Sequence, residues 1–268
     1  MSNKIIIANF KMNLSSKEEA IDLCQYYQQK DKELPNVDFI AAPDFLWLED
    51  VVKLGVATSS QDCFFEDSGA FTGEISPMIL KNLGVQYCII GHSERRRLGD
   101  TDEIINKKIK AVVKNGLIPI LCVGETLEQK QSGQKEEVLK NQITKALDNI
   151  PPSTLYSLVV AYEPVWAIGT GLAEDPEEAE KTMEFILNLT KQIITEAEKT
   201  MEFILNLAKQ IIPEIEIKMI YGGSVDALNI ASFVSKKIIQ GALVGGSSLK
   251  KEEFVKILEI ANSSNNPS

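Results

Sequence analysis

Of 268 residues, one is histidine, two are tryptophan and four are cysteine. Each scarcity narrows the chemistry open to the chain. Any imidazole-dependent step must run through His92. The cysteines, Cys24, Cys63, Cys88 and Cys122, show no Cys-x-x-Cys or other metal-ligand spacing. Three of them sit in strand-like, apolar surroundings, where a thiol behaves as a small hydrophobe. No apolar run approaches the roughly 20 residues of a membrane-spanning helix. The run Ile5-Ile6-Ile7 ends at Asn9, too soon for a signal peptide. A cytosolic protein with no membrane partner is therefore expected. Basic residues are also in deficit, 28 Lys and Arg against 38 Asp and Glu, for a net charge of −10. That balance disfavours nucleic acid and anionic lipid as partners. It also requires a locally positive site if any phosphorylated ligand is to bind.

Short β-branched runs alternate with longer amphipathic stretches from end to end, the pattern of parallel βαβ units. Strands are expected at Lys4–Ala8, Asp38–Ala42, Ala57–Gln61, Tyr87–Ile90, Ile118–Val123, Leu158–Tyr162, Lys218–Tyr221 and Gly241–Val244. Helical patterns follow, among them Ser16–Gln29, Thr101–Asn115, Lys135–Asn149 and Lys250–Asn262. Ser16-x-x-Glu19 reads as a capping box, and Asp175-Pro176 as an N-cap with proline in the first turn. Eight such units suit an α/β fold of the (β/α)8 barrel type, one domain over residues 1–268. The alternative is an open doubly wound sheet, but no Gly-x-Gly-x-x-Gly follows the first strand.

In such barrels the chemistry lies where strands end and βα loops begin. Strand one runs out in Asn9-Phe10-Lys11 and strand four in Gly91-His92-Ser93-Glu94-Arg95-Arg96. Strand six ends in Glu163, ahead of Pro164-Val165-Trp166-Ala167-Ile168-Gly169-Thr170-Gly171. Strands seven and eight end in Gly222-Gly223-Ser224 and Gly245-Gly246-Ser247. Taken singly, Lys11 reads as a surface lysine, Glu163 as a strand cap, His92 as a structural imidazole and the glycine pairs as tight turns. Taken jointly, a cation, an imidazole, a carboxylate and two glycine turns share one barrel face. Those are the parts needed to move a proton beside the carbonyl of a phosphate ester. Lacking Cβ, the turns let backbone N–H groups approach phosphate oxygens, and with Lys11 they supply positive potential within an acidic chain. The loop from Pro164 to about residue 173 reads as a hinged lid.

The stretches at 91–96, 163–171 and 221–225 (Tyr-Gly-Gly-Ser-Val) together resemble the triosephosphate isomerase family, over nearly the whole chain. The resemblance implies interconversion of two triose phosphates, dihydroxyacetone phosphate and glyceraldehyde 3-phosphate, through an enediolate. It implies Glu163 as proton carrier and His92 as a neutral imidazole serving both substrate oxygens. Lys11 and Asn9 would stabilise developing charge, with Glu94 supporting Lys11. Phosphate contacts would fall on Gly169, Ser224, Gly245 and Gly246, with no metal and no organic cofactor. The loop Gly69–Glu74, with Thr72 at its tip, implies a homodimer. Against the family pattern, Phe10 stands for the usual Trp, Leu172 for Lys, Gln240 for Asp and Ser247 for Ala. Two rival readings remain: a phosphate-eliminating synthase on the same barrel, and a non-catalytic scaffold or binding protein.

A further feature lies outside that pattern. Residues 177–194 recur at 195–212 with two changes, Glu177/Thr195 and Thr190/Ala208. Eighteen residues make about five helical turns, so an unbroken helix would keep its apolar face in phase. Yet 36 helical residues would span roughly 54 Å, and the short link Pro213–Glu216 cannot bring the chain back to strand seven. We therefore expect a break, with Thr195-x-x-Glu198 capping a new helix at the junction and one copy leaving the barrel wall. Which copy stays in the wall is open at this level. So is the choice between an inert insertion, a new contact surface and an engineered duplication.

Overall fold

The computed structural model describes residues 3–155, 157–205 and 216–264. Its strands are β1 (Lys4–Asn9), β2 (Val37–Ala42), β3 (Ala57–Ser60), β4 (Tyr87–Ile90), β5 (Ile118–Val123), β6 (Val159–Tyr162), β7 (Lys218–Tyr221) and β8 (Gly241–Val244). They pair in parallel in sequence order, and β8 closes on β1 through Ile5↔Gly241 to Ala8↔Val244. The helices outside them are α1 (Lys17–Asp31), α2 (Leu48–Lys53), α3 (Pro77–Leu83), α4 (Ser93–Arg97) and α5 (Asp102–Lys114). They continue with α6 (Leu127–Gln131), α7 (Lys135–Ala146), α8 (Pro176–Leu205), α9 (Ile230–Val234) and α10 (Lys251–Ser263). The eight-stranded α/β barrel expected from the strand–helix alternation is the fold observed.

Side chains alternate across each strand, so every strand serves two cores. Ile5, Ile7, Ile40, Ile89, Ile120, Cys122, Val159, Ala161, Ile220 and Leu243 pack inside the barrel. Their sequence neighbours Ile6, Ala8, Phe39, Ile90, Leu121, Val160, Met219 and Val244 pack outward against the helices. All four cysteines are buried, as their apolar settings suggested. Continuing the inward rows by two residues leads to Asn9, Glu163, Gly222 and Gly245 at the carboxyl ends of β1, β6, β7 and β8. The period-two rule thus aims two polar side chains and two glycines into the same space from neighbouring strands.

Local signals are mostly borne out. Asp175 accepts N–H bonds from Glu177 and Glu178 ahead of α8, with Pro176 at its first position. Ser16 accepts from the Glu19 N–H, but the reciprocal half of the capping box is missing: the Glu19 carboxylate takes the N–H and hydroxyl of Ser15 instead.

The expected break at residue 195 does not occur. Helix α8 runs unbroken from Pro176 to Leu205, across the junction between the two copies. Thr195 caps nothing, because the repeat keeps helical phase and a side-chain bond from Gln192 to Glu196 spans the junction. The first copy holds the wall: Ala179, Met183, Ile186, Thr190 and Ile194 are buried. Residues 206–212 of the second copy lie outside the described residues. Among the described residues no helix, α8 included, is long and apolar enough to cross a membrane.

Candidate active site

A cavity of about 290 Å³ opens at the carboxyl ends of the strands. Eight of the nine residues singled out from the sequence line it: Asn9, Lys11, His92, Glu163, Gly169, Ser224, Gly245 and Gly246. The ninth, Glu94, stands behind Lys11, with Oε1 2.6 Å from Nζ.

Glu163 is buried, with 1% of its surface exposed. Its Oε2 accepts the Ser93 N–H at 3.2 Å, and its Oε1 lies 3.5 Å from His92 Nε2. Oε1 is buried with no hydrogen-bond partner among the described residues. The carboxylate fits only because β7 ends in glycine: a Cβ on Gly222 would approach Glu163 Cγ to 2.7 Å. Burial first, and the Glu163 charge after it, hold the neighbouring Cys122 thiol well above its ordinary range, so that thiol stays protonated.

His92 caps α4: its Nδ1 accepts the Glu94 N–H at 3.2 Å. A ring nitrogen that accepts there carries no proton, so the neutral ring bears its N–H on Nε2, the nitrogen facing Glu163. One residue thereby terminates β4, starts a helix and presents a donor to the cavity.

Lys11 adopts φ +51, a left-handed backbone that is costly for any residue with a Cβ. Two side chains hold it there. Asn9 Oδ1 accepts the Lys11 N–H, and Gln61 Nε2 donates to the Lys11 carbonyl. Burial works against ionisation of Glu94, but the Lys11 hydrogen bond and charge outweigh it and keep that carboxyl below its usual range. The strain places an ammonium beside the carboxylate–imidazole pair.

Elsewhere along the cavity lining, the N–H groups of Ser224, Gly246 and Ser247 meet no acceptor among the described residues. The Ser224 hydroxyl donates to the Ala167 carbonyl, tying loop seven to the loop 164–173. In that loop, Gly169 and Gly171 take φ +68 and +74, a left-handed backbone that favours glycine. The departures from the family pattern also find places. Phe10 is fully buried in the outer core, and Leu172 is exposed on the lid. Gln240 bonds Met219 through its side chain and accepts the Ile5 N–H, joining β7 to β1.

A set of residues beyond the sequence reading fastens the loop 164–173 at both ends. Trp166 Nε1 donates to Glu125 Oε1 at 2.9 Å, and the Tyr162 hydroxyl donates to the same carboxylate at 3.1 Å. Lys130 lies 3.8 Å over the Trp166 ring and bonds Glu174 at the loop's far end. Lys135 also bonds Glu174, whose N–H donates to the Tyr221 hydroxyl. Burial, with the Glu125 charge, drives the Tyr162 phenol far above its usual range, so it remains a donor. A signal was present, since strand five also ends in a polar residue, Gly124-Glu125. Beneath α4, buried Lys108 joins Asp62 and Asp100, with Arg95 against Asp62.

Comparison with known proteins agrees with this geometry. The sequence pattern of the family described as triosephosphate isomerase matches residues 4–261. A protein named triosephosphate isomerase from Natranaerobius thermophilus is 39% identical over 265 residues, covering 97% of each chain. Proteins of the same name from Alkaliphilus oremlandii and Clostridium botulinum are each 39% identical, over 96% of this chain and 99% of their own. With a pattern match from the first strand to the last helix, and relatives aligned over nearly their full length, the chain belongs to the triosephosphate isomerase family.

Proposed function

We propose that this chain interconverts dihydroxyacetone phosphate and glyceraldehyde 3-phosphate by proton transfer within the cavity. The observation that carries the reading is the placement of the Glu163 carboxylate 3.5 Å from His92 Nε2, beside Lys11. Glu163 takes a proton from the carbon next to the carbonyl; the electron pair moves onto the carbonyl oxygen and gives an enediolate. His92 donates from Nε2 to the oxygen gaining charge, and the ring then serves the neighbouring oxygen. Lys11, oriented by Asn9 and Glu94, stabilises the developing negative charge as a cation fixed in place before the reaction. Glu163 returns the proton to the adjacent carbon, so no net proton is consumed. The N–H groups at Ser224, Gly245 and Gly246, with Gly169 from the lid, hold the phosphate away from the reacting carbons.

A homodimer is part of the same proposal. In the loop Gly69–Glu74, Phe71 is 43% exposed and rests on Phe64 at a ring separation of 4.8 Å. Exposed Met12 and Leu46 add apolar surface of the kind a subunit contact covers. Four buried, unpaired thiols support a reducing compartment, the cytosol. The whole described barrel then acts as one domain, with the second repeat copy an addition to it.

A coupled assay tests the reading against the phosphate-eliminating alternative. Isomerisation should exceed phosphate release by orders of magnitude. Comparable rates would replace the isomerase reading with the synthase, and no turnover at all would favour a scaffold.

A further inference from the structure

Two ammonium groups line the cavity, Lys11 and Lys250, and each already faces a carboxylate. Lys11 meets Glu94 at 2.6 Å, and Lys250 meets Glu253 at 2.9 Å. Unlike Glu94, Glu253 itself lines the cavity. Its Oε1 accepts the Ser247 hydroxyl at 2.8 Å, while its Oε2 faces Lys250 Nζ. Ser247 follows directly on Gly245-Gly246 and replaces the alanine usual in the family, so the carboxylate is fastened to the residue beside the amide cradle. Burial works against ionisation of Glu253, but Lys250 and Ser247 outweigh it and hold its carboxyl below the usual range. A fixed negative charge therefore stands next to the place where an anion is to be held. At a half-buried position such repulsion is only partly screened.

We propose that Glu253 lowers the affinity of the site for the phosphate group of its substrate. It does so through its own charge, and by occupying Ser247 and Lys250, two donors that would otherwise turn toward the phosphate. The inference rests on the reading that the loops at Ser224 and Gly245-Gly246 take the phosphate. Its physical sense is that a group gripped equally in ground state and transition state slows release without lowering the chemical barrier.

Inorganic phosphate, used as a competitive inhibitor, is the probe. Glu253→Gln removes the charge and keeps an acceptor for Ser247. The phosphate inhibition constant and the KM for triose phosphate then fall together, about three- to tenfold at low ionic strength, and the difference shrinks as salt is added. Lys250→Met leaves the carboxylate uncompensated and moves both constants upward. Glu253→Asp restores values near those of the unaltered chain. A merely damaged fold cannot produce shifts of opposite sign with rescue by the conservative change. An unchanged or raised inhibition constant in Glu253→Gln overturns the inference and leaves the site reading standing, provided phosphate competes in the unaltered chain. Failure of phosphate to compete in the unaltered chain overturns both.

Discussion

A Cβ placed on Gly222 would come within 2.7 Å of Glu163 Cγ and 3.4 Å of the Tyr162 carbonyl oxygen. The end of β7 therefore decides where the carboxylate at the end of β6 can stand. Gly222→Ala should push the Glu163 side chain toward the cavity while the strands stay paired. Displacement of a reacting group by about 1 Å can cost roughly 10²-fold in rate. Turnover should fall by about that factor with little change in the melting temperature. Steady-state kinetics beside a thermal melt checks it, and full turnover in the variant would mean that the observed carboxylate position is not the working one.

Lys11 sets function against stability. Its φ of +51 is strained for a residue with a side chain and natural for glycine. Lys11→Gly loses the ion pair to Glu94 and gains backbone relief, so denaturant stability should change by less than about 1 kcal/mol. Activity should fall by at least about 10²-fold, since a preorganised charge is removed. A large loss of stability would show that the left-handed backbone is not the cost assigned to it.

Asp31 gives the chain a pH dependence away from the cavity. Burial, with Asp38 nearby, raises its carboxyl to about 6 against the opposing Phe39 backbone bond, and its Oδ1 is buried with no partner among the described residues. A folded-state value raised above the unfolded one means that the native state binds the proton more tightly. The associated stability is fully present below the unfolded value, near pH 4, and is lost as pH rises toward about 6. Asp31→Asn should therefore stabilise the protein by roughly 1–2 kcal/mol at about pH 7 and hardly at all at about pH 4. Urea midpoints at the two pH values test it; equal effects at both would contradict the assignment.

Helix α8 raises the question of which copy the barrel needs. Met183 is fully buried in the wall. If the first copy alone can occupy that slot, Met183→Ala should cost about 2–4 kcal/mol. If the second copy, with its intact Met201, can slide into the slot, the loss would be small. Deleting residues 195–212 should leave isomerase activity in place, because the wall and the Asp175 cap lie upstream of the cut. Loss of activity, or a change in subunit number, would show that the second copy is more than an insertion.

The strands were legible because buried β-branched runs such as Ile5-Ile6-Ile7 and Ile118–Val123 stop at residues that cannot continue a core. The site was legible for the same reason, since Asn9, His92 and Glu163 each interrupt such a run where a strand ends. The fastening of the loop 164–173 was not. Glu125 and Glu174 are two carboxylates among 38 acidic residues, and only the fold brings them onto Trp166, Lys130 and Tyr221. The break expected at 195 rested on helix length, with Thr195 as its cap, whereas the repeat keeps helical phase and α8 runs through the junction to Leu205. Once α8 is nucleated, continuing it for three more turns costs less than stopping and starting again. Residues 206–215, between α8 and β7, lie outside the described residues.

The central claim is that Glu163 carries the proton. Glu163→Gln keeps the shape and the Ser93 contact and removes the base. Measured by a coupled assay, with circular dichroism to verify the fold, the variant should lose at least about 10²-fold in turnover. Unchanged turnover in a folded Glu163→Gln chain would contradict the account.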